Sequence, residues 1–438
     1  MSRPLSRFAF LAATAAAALV LAACGGGGGD ANGSSTSAKK SSAPVTITLW
    51  HGQNQIAGKV IKGLVDDFNR THTDVKVDGQ IGADADSLQA KMTAALAGGK
   101  YPDVVYIFGP NVANLARSPK ALDLTEAVKA KAWNWGDFYP AAREAVTIDG
   151  KVRAVPALID SMAVVYNKRL FRQAGIPAPK AGWTWDDYRA VAKQLTNKSK
   201  GVFGTGWPGV GDEDTVWRLW PMIWDLGGDV LAPGGKQVGY GGQPGLRSLT
   251  LLNQMATQDN SVYIDKTSGS EKMYQVFNSN RMGMVPTGPW ELPQIMQAKV
   301  DYGVVPMPTF NGKPVTIAGP DTWMLFNNGD DRARAAQEFV QWLTAPAQDA
   351  RWDVAAGSLP LRRSTAQQDV WKQNVAKLDG LSTFVAALAN ARVRPVVQSY
   401  PKISEALGQS ITGALLGQDS PADALNKAVK GGNKALEG

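Results

Sequence analysis

Tyr101-Pro102-Asp103-Val104-Val105-Tyr106-Ile107-Phe108-Gly109-Pro110 is the stretch on which the reading of the fold rests. A Pro-Asp pair opens five consecutive apolar or aromatic residues, and Gly-Pro closes them. A run this short between breakers reads as a strand buried on both faces. Upstream, Val45, Ile47 and Leu49 alternate into Trp50, a second strand, and His51-Gly52-Gln53-Asn54-Gln55 is a polar loop. Ile56, Val60, Ile61, Leu64, Val65 and Phe68 then recur at helical spacing, and Val75-Lys76-Val77 is a third strand. Leu88, Met92 and Leu96 mark a second helix that Gly98-Gly99 ends. Strand, helix, strand, helix, strand implies a parallel α/β layer with ligand-binding loops at the strand ends.

Downstream, the residues around Val152–Pro156 and Ala163-Val164-Val165-Tyr166 read as strands, and Lys168–Gln173 as a short helix ended by Gly175. Trp185–Leu195 reads as a helix capped by Thr184, with Asp186 and Asp187 in its first turn. Residues 201–245 are loop-rich and aromatic. Trp217 and Trp224 fall on one helix face by i+7, with Trp220 between them, so that stripe reads in part as core. Helices over 246–257 and 270–279 precede a strand at Met282–Val285, which runs into Pro286-Thr287-Gly288-Pro289-Trp290. Tyr302–Met307 and Thr322–Phe326 are further strands, Arg332–Leu343 a helix, and Ile403, Leu407, Ile411 and Leu415 mark another.

The front of the chain is of a different kind. Arg3 and Arg7 precede an uncharged apolar run from Phe8 to Ala23, too short for the ~20 residues of a membrane-spanning helix. This is the pattern of a secretory signal peptide over 1–23. Leu21-Ala22-Ala23-Cys24 resembles the lipobox of bacterial lipoproteins and implies lipidation of Cys24, the chain's only cysteine. Residues 24–44, Gly- and Ser-rich, read as a flexible linker. The expected location is the extracytoplasmic face of the cell membrane, held by a lipid anchor.

Net charge is +8, but the basic residues are scattered, so a nucleic-acid-binding stripe is not supported. The chain has 14 tryptophans, many in Gly- and Pro-containing segments, where a ring is available as a stacking platform. Two histidines, His51 and His72, supply a zinc site or a Ser-His-acid triad poorly. Neither G-x-S-x-G nor a phosphate-loop G-K-[ST] occurs. The expectation is a non-enzyme without cofactor or metal.

Several local patterns line up in one order: Ile47-Thr48-Leu49-Trp50-His51, Ala94–Gly98 followed by Tyr101–Val105, Val155-Pro156, Tyr166-Asn167-Lys168-Arg169-Leu170-Phe171, Trp183-Thr184-Trp185-Asp186, Gly288-Pro289-Trp290, and Ala335–Leu343 leading to Ser358-Leu359-Pro360. In this set, from about Val45 to Leu436, the chain resembles the extracytoplasmic solute-binding proteins of ABC importers, in their large sugar-binding group. The resemblance implies a periplasmic-binding-protein-like fold, two α/β lobes joined by crossing hinge segments. Lobe one would comprise 45–158 plus 318–355, and lobe two 159–317 plus 356–438. The crossings would fall near Leu158–Met162, Lys313–Ala318 and Ala356–Leu361. The implied partners are a carbohydrate and the membrane subunits of an ABC permease, with the chain itself a monomer.

A sugar needs polar groups for its hydroxyl edges and rings for its C–H faces. His51 and Gln53 follow the first strand, although His51 serves equally as a turn residue. Asp86, with Asp84, precedes the second helix and would contact ligand or cap that helix. Phe108, Gly109 and Asn111 follow the Pro-Asp-Val strand, in a loop that contributes polar contacts in relatives. Asp160 lies where relatives place a hydroxyl-binding acid beside the hinge, with Ser161 next to it. Trp217 and Trp290 are the stacking candidates. Gly319, Asp321 and Trp323 follow a crossing, and Arg394 is a late contact or a salt-bridge residue. Two alternatives stand beside sugar capture. One is a binding protein for a glycerophosphodiester, which would need converging Arg or Lys. The other is a secreted glycoside hydrolase, which needs two carboxylates.

Overall fold

The strand at the centre of the sequence reading forms as Val104–Phe108 and is buried almost throughout. The computed structural model describes residues 43–437 apart from Asn54, residues 84–86 and Lys313. The leader, Cys24, most of the linker, Asp84 and Asp86 lie outside the described residues.

Eight strands build the two main sheets. In chain order they are β1 (Val45–His51), β2 (Val75–Ile81), β3 (Val104–Phe108), β4 (Val155–Leu158), β5 (Ala163–Asn167), β6 (Met284–Thr287), β7 (Tyr302–Val305) and β8 (Asp321–Leu325). The first sheet has the order β2-β1-β3-β8-β4. β1 runs parallel to β2 and to β3, with Val45 opposite Val75 and Leu49 opposite Val104. Helices α1 (Gln55–Thr71) and α2 (Leu88–Ala97) make the crossovers, as parallel pairing requires.

Asp103 explains the Pro-Asp-Val motif. Its carboxylate is fully buried and accepts from the Thr48 N–H at 2.7 Å, Asn328 Nδ2 at 3.0 Å and Arg332 Nε at 2.9 Å. One side chain therefore ties β1 to the segment after β8. β8 returns antiparallel against both β3 and β4, Asp321 opposite Phe108 and Leu325 opposite Val104. A register shift between Asp321 and Thr322 bulges β8 at the sheet edge where β1 and β3 end, a device that re-aims side chains next to sites.

The second sheet is antiparallel, β6-β5-β7. Pro286 sits in β6 opposite Val164. The strand is an edge, so the missing N–H leaves no ladder bond unmade. In α3 (Trp185–Leu195) the cap forms reciprocally, the Asp187 N–H donating to Thr184 Oγ1 and the Thr184 N–H to Asp187 Oδ2.

The tryptophan stripe does not lie on one helix. α4 (Glu213–Trp217) ends and α5 (Trp220–Asp225) begins within three residues. A continuous helix needs the residue-221 N–H to reach the Trp217 carbonyl, and Pro221 has none. Trp220 and Trp224 therefore stack on each other in the core, ring centroids 6.1 Å apart. Trp217 is left on a different surface.

After β8 come α6 (Asp330–Leu343) and α7 (Pro346–Ala356), then α8 (Tyr400–Leu415) and α9 (Pro421–Leu436) pack together near the chain's end. Between the sheets the chain passages are bonded to each other. The Gly319 N–H donates to the Asp160 carbonyl at 3.1 Å, the Leu359 N–H to the Ile159 carbonyl at 3.0 Å, and the Ala318 N–H to the Arg392 carbonyl at 2.9 Å. These are the segments around the three expected crossings, joined by a fourth strand at Ala391–Arg392 that pairs with Thr316–Ile317.

Candidate functional site

A cavity of about 260 Å³ opens at the end of the first sheet where β1 and β3 terminate. One wall comes from Gln53, from Ile56 and Ala57 of α1, from Tyr106 and Phe108 of β3, from Asp321 of β8 and from Trp352 of α7. The facing wall comes from Glu213, Asp214 and Trp217 of α4, Tyr274, and Trp290-Glu291 after β6. Asp160, Gly319, Ser358 and Arg394 line it from the passages between the sheets. The sequence candidates Gln53, Phe108, Asp160, Trp217, Trp290, Gly319, Asp321 and Arg394 are thus brought together.

Trp217 and Trp290 face each other with ring centroids 5.4 Å apart and planes tilted by 54°. The Trp290 ring folds back over Gly288, where a Cβ would lie 1.8 Å from it. Gly357, at φ +84°, lets the start of another passage lie against the same turn; a Cβ there would meet the Pro289 carbonyl at 2.4 Å. Two glycines thereby set the position of one ring.

The polar groups form three sets. In the first, the Tyr106 hydroxyl donates to Asp321 Oδ2, while Asp160 Oδ1 has no partner. Burial pushes the Asp321 carboxyl up to about 7, held back by the Tyr106 bond and Arg394. Burial, and then the neighbouring Asp321, push Asp160 well above the usual carboxylate range. In the second set, the fully buried Arg218 donates to the Pro286 carbonyl at 3.0 Å, to the Tyr274 hydroxyl at 2.7 Å and to Asp214. Beside it Glu291 has an unpartnered Oε2, and burial raises its carboxyl to about 8 against the pull of Arg218. In the third set, Glu213 accepts from Arg394, from the Tyr400 hydroxyl at 2.8 Å and from Ser404. Arg394 is thus both a salt-bridge residue and a lining residue, with its Nε unpartnered.

Other candidates are placed elsewhere. His51 shares the buried face of β1 with Ile47 and Leu49, as period-two alternation demands, and burial lowers its pKa. The same alternation turns Ser161 away from Asp160; its hydroxyl donates to the Phe384 carbonyl at 2.7 Å. Trp323 sits two residues deeper in β8, edge-on to Tyr106 at 5.3 Å within the core. Gly109 serves close backbone approach, its N–H donating to the Pro320 carbonyl at 3.1 Å where a Cβ would be 2.3 Å from that oxygen. Asn111 lines a neighbouring groove that shares Phe108 and Glu213 with the cavity. Asp86 is outside the described residues. Sequence reasoning missed Tyr106, Glu213, Asp214, Tyr274, Glu291 and Trp352. Glu213-Asp214 and Glu291 were signalled by standing close to the two stacking tryptophans in sequence.

Two α/β sheets with a ring-and-carboxylate cavity between their linking passages define the fold of a periplasmic solute-binding protein. The family described as bacterial extracellular solute-binding protein matches residues 52–350. The chain belongs to that family. It is 24% identical over 425 residues to the sn-glycerol-3-phosphate-binding periplasmic protein UgpB of Pectobacterium atrosepticum, covering 90% of this chain and 92% of that one. The cyclic α-maltosyl-1,6-maltose binding protein of Arthrobacter globiformis superposes with a TM-score of 0.73 at 25% identity, over 90% of this chain and 99% of that one. An ABC substrate-binding protein of Listeria monocytogenes in complex with cycloalternan gives a TM-score of 0.81 at 22% identity, with the same coverage.

Proposed function

We propose that this chain captures a mono- or oligosaccharide in the cavity and delivers it to the membrane subunits of an ABC permease. The observation that carries this reading is the Trp217–Trp290 pair lining one cavity with Asp160, whose Oδ1 is unpartnered, and with the Tyr106–Asp321 pair. Rings suit the C–H faces of a sugar, and buried acceptors suit its hydroxyls. The maltosyl and cycloalternan names of the two structural neighbours agree with it. Lobe one is 45–158 plus 318–355, lobe two is 159–317 plus 356–438, and closure turns about the bonded passages between them. The chain acts without chemistry of its own, as a monomer, tethered at the extracytoplasmic face by lipid on Cys24. Substituting Cys24→Ser should move it from the membrane fraction to the soluble one. Continued membrane retention would exclude the anchor.

The UgpB relative supports a second reading, capture of a glycerophosphate-type ligand. Against it, Arg394 is the one cation among the described lining residues and is already paired with Glu213. A thermal-shift panel separates the two. A bound ligand at about 100 times its Kd adds about 2.7 kcal/mol to stability. A shift with a phosphodiester and with no sugar overturns the saccharide reading. Turnover of an oligosaccharide would reveal a glycoside hydrolase instead.

A further inference from the structure

The cavity is lined by five carboxyl side chains, Asp160, Glu213, Asp214, Glu291 and Asp321, against the single guanidinium of Arg394. Two of the five are committed to cations: Glu213 to Arg394, and Asp214 to the Arg218 behind it. The other three line the cavity without an ion pair, with Arg218 near Glu291, Arg394 near Asp321 and neither beside Asp160. Asp160 and Glu291 are 5% and 4% exposed, and each keeps one oxygen without any partner. They stand beside the Tyr106, Phe108, Tyr274, Trp217 and Trp290 rings. A neutral hydroxyl fills one acceptor at a time, whereas an ammonium brings up to three donors and a charge that an excess of carboxyls over guanidinium can answer, and it also attracts ring faces.

We propose that the preferred ligand is an aminated saccharide, one whose protonated amine lies between the Asp160–Asp321 side and the Glu291 side of the cavity. This rests on the saccharide reading above. The buried carboxyls give the reading a pH dependence. Asp160 is faced by Asp321, Asp353 and Tyr106; Asp321 by Tyr106, Arg394, Glu213 and Asp160; and Glu291 by Arg218, Asp214 and Tyr274. In the empty cavity burial holds all three high, so an arriving cation must drive out protons, and its affinity should rise with pH over the range in which the sugar amine itself stays protonated.

The test is calorimetric titration of the full-length protein with glucosamine oligosaccharides, their N-acetylated counterparts and unmodified gluco-oligosaccharides, between pH 5.5 and 7.5. The expected result is binding of the aminated series about tenfold tighter than either neutral series at pH 7, the effect of one charged hydrogen bond. That preference should weaken toward pH 5.5, and Glu291→Gln should bring the ratio of aminated to neutral affinity to about one, read as a ratio so that any loss common to all three series cancels. Equal binding of aminated and neutral sugars, at a pH-independent ratio, overturns the inference and leaves saccharide capture standing. Binding of none of the three series overturns both. The wild-type comparison decides the matter even where Glu291→Gln fails to fold.

Discussion

The two ends of the first sheet each have a buried acid, Asp103 before β3 and Asp160 after β4, and the two are treated in opposite ways. At the entry, Asp103 is fully buried and receives a backbone N–H, an amide and a guanidinium. Past the exit, Asp160 is almost as buried and one of its oxygens receives nothing. Burying a carboxylate is costly unless its lone pairs are filled. Asp103 is therefore a rivet, complete within the chain. Asp160 is left incomplete by the fold around it, and on the saccharide reading a ligand completes it. The same contrast separates Trp220, whose Nε1–H donates to the Tyr400 hydroxyl at 3.1 Å within the core, from Trp217, which faces a cavity.

Removing the rivet should have the largest effect. Asp103→Ala leaves the Thr48 N–H and Arg332 without their acceptor, and should destabilise the protein by about 3 kcal/mol in denaturant unfolding, allowing for the half-exposed Arg332. A loss below 1 kcal/mol would mean that the acid is not what joins β1 to α6. Next in size, Trp290→Ala should weaken ligand binding by about 2 kcal/mol in titration while leaving the fold in place. Gly288→Ala should weaken binding in the same direction, since the added methyl must push the Trp290 ring aside. Unfolding of the Trp290 variant would make that residue core, like Trp220.

The smallest effect is on stability against pH. Asp160, Asp321 and Glu291 all have carboxyls raised in the folded chain. Above the unfolded carboxylate range the folded state then holds more protons than the unfolded one, so stability falls as pH rises. For Asp321 and Glu291 the decline should run from about pH 4 to about 7 and 8. Asp160→Asn removes one contributor and should make the unliganded protein slightly more stable at pH 8, read as a higher Tm. A lower Tm at pH 8 would show that Asp160 has partners in the folded state.

The layered order of strands and helices was legible because period-two and helical spacings survive local noise. Val45, Ile47 and Leu49 mark β1, and Phe68 lies one helical face from Ile61 and Leu64. His51 was misplaced in the polar loop, although it continues the alternation of Ile47 and Leu49 into the core. The division of the tryptophans was not, because it depends on Pro221 stopping a helix whose existence was uncertain from composition alone. Glu213, Tyr274 and Glu291 come from three separated segments, and only the packing of α4 against the turn after β6 assembles them. No spacing along the chain encodes such a meeting.

The lacing of the chain passages has a mechanical meaning. When one sheet turns against the other, points on the line of turning travel least and points far from it sweep the widest arc. The backbone carbonyl of Asp160 is bonded into that line by the Gly319 N–H, and the Trp217 ring lies against the same glycine, 3.4 Å from where a Cβ would be. On the proposed closure of the two lobes, Asp160 is the cavity residue that travels least, offering the same face to a molecule whether the jaws are apart or together.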